Sequence, residues 1–292
     1  MAERSNAQII IGSAVAVATG AFVSWAGSDG GDRLGTVPVF AICGALAFAI
    51  NWLAFIPAAL KQTERYYDLT GGITYITVTV VAVLLSSKLD LRATLVAAMV
   101  MVWSLRLATF LFRRISRDGK DSRFDDIKNR PPRFFLAWTL QGLWVLLTAA
   151  AALAVITGGV REPLGAVGIA GIVIWFVGIL IEIVADRQKS TFRDNPANKG
   201  RFINVGLWAW SRHPNYFGEI VLWTGMAIVA LPVLQGWQWA TLISPVFVAF
   251  LLIKVSGVPM LEEKADKRWG GQDDYEEYKR STPVLIPKPP AG

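Results

Sequence analysis

The stretch 220–253 runs for 34 residues without one charged side chain. Uncharged runs also fill residues 5–28, 34–60, 69–87, 134–160 and 163–181, while 93–112 carries a single charge, Arg106. A membrane-spanning helix needs about 20 consecutive apolar residues, because the hydrocarbon core is about 30 Å thick. The longest run therefore exceeds one crossing. Its centre, Leu231 to Trp239, holds Pro232, Gly236 and two Trp, which predicts a turn at the membrane surface. Splitting it there gives eight hydrophobic segments. Composition agrees: 53% of residues are hydrophobic and only 17% charged, against about 25% charged in ordinary soluble chains. Disorder does not fit so apolar a chain. Cys43 is the only cysteine and His213 the only histidine, which excludes an intrachain disulfide and leaves no thiolate or imidazole cluster for a metal. The expectation is an all-α polytopic membrane bundle of seven to eight transmembrane helices with a basic cytoplasmic cap.

Positive charge orients the bundle. Residues 113–133 hold eight Lys/Arg, 186–213 hold six, and the tail from Lys264 holds six more. With helices alternating between them, all three segments fall on one face, which the positive-inside rule makes cytoplasmic. Counting back puts the N-terminus and the 61–70 loop on that face also, so both termini are expected in the cytoplasm. Lys88 and Arg92, in a turn on the opposite face, fit this pattern less well. The net charge of +7 is thus mostly topology. No nucleic-acid-binding motif accompanies it, and no obligate protein partner is evident. A division into an N-terminal hairpin, 1–60, and a larger domain, 61–292, follows from the pattern.

Several polar groups are out of place in such a chain. Arg106 lies among apolar residues, where a charge costs about 2.5–3.5 kcal/mol on insertion scales. Two readings stand. Either it snorkels toward Arg113 and Arg114, or it meets an anionic ligand. The segment KQTERYYDLTGGITY, 61–75, places Tyr66, Tyr67, Asp68 and Tyr75 at the mouth of the bundle. Gly71 and Gly72 would let a helix begin or bend, with Thr70 or Asp68 as its cap. The densest block is 182–219. There Arg187, Lys189, Arg193, Lys199, Arg201 and Arg212 interleave with Asn195, Asn198, Phe192, Phe202, Trp208 and Trp210. Such cations suit phosphate, the aromatic faces suit a base, and the Asn side chains suit ribose or amide groups. Neither GxGxxG nor GxxxxGK[ST] occurs, so any nucleotide is held by side chains between helices. Pro214 suits the first turn of a helix, and His213 then sits at a helix N-terminus, where phosphate is favoured.

The string SRHPNYFGE after GLWAWS, preceded by FRDNPANKGRF, resembles a bacterial family of the steroid 5α-reductase superfamily. That superfamily also includes sterol C14 and C7 reductases and isoprenylcysteine carboxyl methyltransferases. The ending EEKADKRWGGQDDYEEYKRSTPVLIP is similar too, and the resemblance covers roughly 60–290. It implies an integral membrane protein, with a bacterial inner-membrane location, that binds NADPH on its cytoplasmic side. It also implies an enone substrate, a 3-oxo-Δ4 steroid or isoprenoid, entering from the bilayer lipid. By motif, Asn215 corresponds to the asparagine at the cofactor's carboxamide, with Tyr216 beside it and Glu219 closing the motif. Arg106 corresponds to an arginine lining the nucleotide, and Glu262 and Glu263 to an acidic pair near the ribose. The basic block then contributes Arg187, Lys189, Arg193, Asn198, Lys199, Arg201, Trp208, Arg212 and His213 to the cofactor. In the steroid enzymes a glutamate and a tyrosine hold the substrate ketone. Here Asp68 falls near the glutamate position and Trp103 at the tyrosine position. The donor to the ketone is then Asp68, in protonated form, or Tyr67 or Tyr216. The alternative carried by the same motifs is an S-adenosylmethionine-dependent lipid methyltransferase. A non-enzymatic sterol-binding protein is a third reading.

Overall fold

The computed structural model describes residues 6–118 and 121–290, apart from the side chains of 113–118 and 122. The Arg113 and Arg114 side chains, to which Arg106 would snorkel, lie outside the described residues, as do residues 1–5. Ten α-helices are described: α1 (Asn6–Gly27), α2 (Val39–Leu60), α3 (Tyr67–Leu85), α4 (Leu91–Asp118), α5 (Pro131–Thr157), α6 (Ala166–Asp194), α7 (Pro214–Ala230), α8 (Ile243–Phe250), α9 (Val258–Trp269) and α10 (Asp273–Ser281). A two-residue hairpin, β1 (Arg33–Leu34) and β2 (Val37–Pro38), joins α1 to α2. Among the described residues, eight helical stretches are long and apolar enough to cross a membrane, the eighth running from Gly236 to Trp269. The protein is an all-α integral membrane bundle. The interruption expected in the longest run is present as two 3-10 turns, Leu231–Val233 and Gly236–Leu242.

The chain forms two compact units. The first comprises Met1–Gly168 and Val229–Ser244, the second Ile169–Ile228 and Pro245–Gly292. In the first, α1 to α4 all pack on α5. The most apolar window of α5 is 89% buried, against 28% for that of α1, and its Ala149–Ala152 run lets neighbours approach closely. Polar pins set the register of this unit. Asn51 Nδ2 donates to Ala47 O and to Thr74 Oγ1, tying α2 to α3, and Ser244 Oγ donates to Thr148 O. Arg92, which strained the charge pattern as an exposed turn residue, is only 2% exposed. Its guanidinium donates to Val229 O at 2.7 Å and Pro163 O at 2.9 Å. It satisfies a carbonyl in the last turn of α7 and a second in the loop before α6, so it is a clamp rather than a topology signal.

In the second unit, α6 and α7 touch backbone to backbone. A Cβ on Gly178 would lie 2.4 Å from Leu222 N, one on Gly218 2.7 Å from Glu182 N, and one on Gly225 2.5 Å from Trp175 N. Glycine at these three positions is what the close approach requires. The following tail is held by aromatic packing, with the Phe202 ring centroid 5.2 Å from that of Tyr275 and 5.3 Å from that of Tyr278.

Candidate functional site

In the first unit α3 begins at Tyr67, one turn earlier than a cap at Asp68 or Thr70 would give. Its N-cap is Tyr66, with no side-chain cap bond. Thr70 instead donates to Tyr66 O. Gly71 and Gly72 lie inside the helix and do not start it. They make room for Gln141 and for Ala108, whose side-chain atoms would sit 2.6 and 2.5 Å from an added Cβ. Asp68 is in the first turn and accepts from Arg123 Nη2 at 3.1 and 3.3 Å. Arg123 Nε donates to Asp121. Close by, buried Glu64 accepts from Asp121 N and from Lys128 Nζ. An ion-paired carboxylate is an acceptor, a different state from a neutral donor. Tyr67 packs on Phe124 and Trp138, and its hydroxyl donates to Ala137 O at 2.9 Å. Trp103 is buried edge-on against Tyr75, centroids 5.0 Å apart. Arg106 is half-buried on α4. Arg123 and Glu64 went unnoticed in the sequence because their partners are 55 and 57 residues away.

The second unit gathers much of the motif block around the N-terminus of α7. Glu262 on α9 accepts from Arg212 Nη1 at 2.6 Å, and its other oxygen meets His213 Nε2 at 2.7 Å. Asn215 Nδ2 donates to Asp186 Oδ1 on α6 at 3.3 Å. Tyr216 stacks on His213 with rings nearly parallel, 5.6 Å between centroids and 9° between planes. Glu219 is buried one turn on. The tail locks this arrangement. Arg212 N donates to Pro283 O, Ser211 Oγ donates to Leu285 O and accepts from His213 N, and Tyr278 Oη donates to Trp208 O. Asp186, not singled out in the sequence, is therefore part of the cluster.

Burial dominates the titration of His213 and holds its pKa below the ordinary value; Glu262 opposes this, while Lys189 and Arg212 add to it. The ring is neutral near pH 7, with its proton on Nε2 facing the carboxylate. That leaves Nδ1 an acceptor. Among the described residues, Nδ1 of His213 and Oδ1 of Asn215 are both buried and accept no hydrogen bond, and Arg212 Nε is likewise buried without an acceptor. Buried polar atoms are ordinarily bonded, so two acceptors and one donor stand unsatisfied at the α7 N-terminus among the described residues.

Other expected residues lie differently. Trp208 is 3% exposed, donates to Ala185 O, and carries Lys189 Nζ 4.5 Å from its ring centroid. Its faces are thus committed to the protein. Arg187, Arg193, Lys199 and Arg201 are exposed along the end of α6 and the loop beyond it, and Asn198 donates to Phe192 O. Gly206, at φ +62°, turns the chain where an added Cβ would strike Gln188, whose carbonyl receives Leu207 N. Glu263 points away from its neighbour Glu262 and pairs with Lys267 at the surface. Among the described residues no cluster of His, Cys, Asp and Glu could hold a metal.

Helices of membrane-spanning length and a buried polar cluster at the N-terminus of α7 define an integral membrane protein with a candidate polar site. The family described as "Protein of unknown function (DUF1295)" matches residues 54–282. The chain belongs to that family, which lies within the steroid 5α-reductase family. Among curated relatives, a probable O-methyltransferase, ustE, of Ustilaginoidea virens is 32% identical over 44% of this chain and 43% of its own. The 3-oxo-5-alpha-steroid 4-dehydrogenase 1 of Rattus norvegicus is 29% identical over 40% of each chain. The steroid 5-alpha-reductase DET2 of Arabidopsis thaliana is 28% identical, again over 40% of each. The match thus spans about two-fifths of each relative's length. No solved structure matches.

Proposed function

We propose that this protein is an NADPH-dependent oxidoreductase that reduces a carbon–carbon double bond conjugated to a ketone, with a 3-oxo-Δ4 steroid or similar isoprenoid enone as substrate. The observation that carries the reading is the pair of buried acceptors, His213 Nδ1 and Asn215 Oδ1, both at the start of α7. Two acceptors call for a ligand with N–H or O–H donors, and a carboxamide flanked by ribose hydroxyls supplies them. The residues present therefore fit the nicotinamide end of the cofactor. Arg187, Arg193, Lys199 and Arg201 fit its phosphates. Glu262 acts through His213 and Arg212, while Glu263, turned to the surface, has no role in this reading. Arg106 stays a candidate nucleotide contact. The reading takes the cofactor face and both termini as cytoplasmic, in a bacterial inner membrane, with substrate arriving from the lipid.

When bound, NADPH would supply a hydride to the β-carbon of the enone. The chain's own contribution is placement, exclusion of water, and a donor at the ketone oxygen, where negative charge develops. Tyr216 is the first donor to test, because it lies on the helix that carries Asn215. Tyr67 would have to leave Ala137 O, and Asp68 would have to leave Arg123, before either could donate. Trp103 would then line the substrate rather than hold its oxygen.

A second reading is favoured by one observation, the similarity to a probable O-methyltransferase: methyl transfer from S-adenosylmethionine to a lipid. Thermal unfolding of the purified protein with NADPH and with S-adenosylmethionine separates the two. Stabilisation by NADPH alone, followed by mass-spectrometric detection of a two-hydrogen gain in testosterone or progesterone, is the expected result. Stabilisation by S-adenosylmethionine alone overturns the proposal.

A further inference from the structure

A groove of about 700 Å³ runs between α1 and α2 in the first unit. Both helices lean on α5 more than on each other, which leaves the cleft between them. Its α2 wall extends from Ala41 to Trp52, ~16 Å at about 1.5 Å per residue. One leaflet of a bilayer core of about 30 Å is ~15 Å deep, so the cleft has the length of a single acyl chain. The wall is apolar toward Phe48 and Trp52, with Ala21 and Ala45 facing it, carries Ser24 along its length, and is charged only at the opposite end, where Asp29 and Arg33 line it. It does not close by helix approach: a Cβ on Gly20 would already sit 2.5 Å from Phe48, and one on Gly44 2.1 Å from Ser24 Oγ. The two helices are in contact at those glycines, and the remaining space is left over.

The polar end carries opposite charges. Asp29 accepts Trp237 N through one oxygen at 2.8 Å, which orients the carboxylate. Arg33 is exposed and spends one nitrogen, Nη1, on Thr36 O. Trp25 and Trp237 line the groove too, both more than half exposed with centroids 5.2 Å apart, side chains characteristic of the headgroup level. A guanidinium is a bidentate partner for phosphate, and a carboxylate is a partner for a primary ammonium, which donates hydrogen bonds. We infer that this groove binds one phospholipid with a primary-amine headgroup, phosphatidylethanolamine being the simplest. One acyl chain lies along Phe48 and Trp52, the phosphate lies on Arg33 and the ammonium on Asp29. The site is independent of the oxidoreductase reading, since it uses none of those residues.

Protein purified from nanodiscs containing equimolar phosphatidylethanolamine, phosphatidylglycerol and phosphatidylcholine, chain-matched, is released into mild detergent for native mass spectrometry. Wild type is expected to retain one phosphatidylethanolamine per chain, at least fivefold over either competitor. Arg33→Gln and Asp29→Asn should each lower retention about tenfold, and Ala45→Phe, which fills the cleft from an exposed position, should abolish it. Size-exclusion profile and helical circular dichroism report folding, and any variant that fails them is replaced by the other two. Loss of all lipid from wild type, equal retention of the three headgroups, or full retention in a folded Ala45→Phe each overturns the inference.

Discussion

Glu262→Gln tests the site at its hinge. Glutamine keeps the shape of the side chain and one acceptor, but replaces the other oxygen with an amide donor. Arg212 can only donate, so the remaining oxygen stays with it, and the new NH2 faces His213 Nε2. The imidazole must then accept at Nε2 and move its proton to Nδ1. The atom that faced a ligand as an acceptor becomes a donor. A donor facing a ligand donor loses one hydrogen bond and leaves buried groups unpaired, about 1–3 kcal/mol, or ~5- to 150-fold in Kd. Stability should change less, by about 1 kcal/mol, because both protein contacts persist with reduced charge assistance. His213 is the only histidine in the chain, so 15N-histidine labelling gives one imidazole to observe. Wild type should show the Nε2–H tautomer and the variant Nδ1–H, with NADPH affinity measured by tryptophan quenching. Wild-type protein already in the Nδ1–H form, or unchanged NADPH affinity in a variant whose tautomer has switched, would refute the reasoning.

Burial lowers the His213 pKa in the folded state, so the unfolded chain takes up this proton first as pH falls. Stability should therefore decline below the ordinary imidazole pKa of about 6.5, and His213→Gln should flatten that limb of a Tm-against-pH curve. Neutralising Arg193 or Arg201 should raise the apparent KM for NADPH far more than for NADH; equal losses would mean that the cations only shape the loop. Asn215→Ala and Arg106→Ala should abolish turnover while the protein remains monodisperse, and aggregation of either would make that residue structural. Gly178→Leu should prevent folding altogether, seen as loss of the monodisperse peak, because the added side chain meets the backbone of α7.

The spans were legible because a membrane segment announces itself through missing charges over about 20 residues. What stayed hidden were the charges whose partners are distant in sequence. Arg92 looked like a surface residue of an outer turn, yet it bonds carbonyls 71 and 137 residues away. Asp68 read as a helix cap or a protonated donor, since no local pattern announces Arg123, 55 residues away. The motif SRHPNYFGE located the cluster, but not its chemical polarity, which depends on Glu262 lying 49 residues beyond His213. Adjacent side chains on a helix diverge by about 100°. For that reason the acidic pair at 262 and 263 divides, one residue to the cluster and the other to Lys267.

That polarity changes where phosphate can go. A helix N-terminus ordinarily attracts anions, and on sequence alone His213 marked such a place. Yet phosphate oxygens at neutral pH accept rather than donate, and the imidazole Nδ1 and the Asn215 Oδ1 buried there are acceptors as well. Anion and acceptors would repel at this spot, and Arg212 Nε alone would not offset both. The exposed cations at 187, 193, 199 and 201 are a separate set on a separate stretch of chain. Recognition is thus divided, with donors wanted at the start of α7 and negative charge wanted along the 186–201 segment. A dinucleotide phosphate answers both demands within one molecule. S-adenosylmethionine offers hydroxyl and amine donors for the first but nothing anionic beyond one carboxylate for the four cations of the second, so the charge balance favours the reductase reading over methyl transfer.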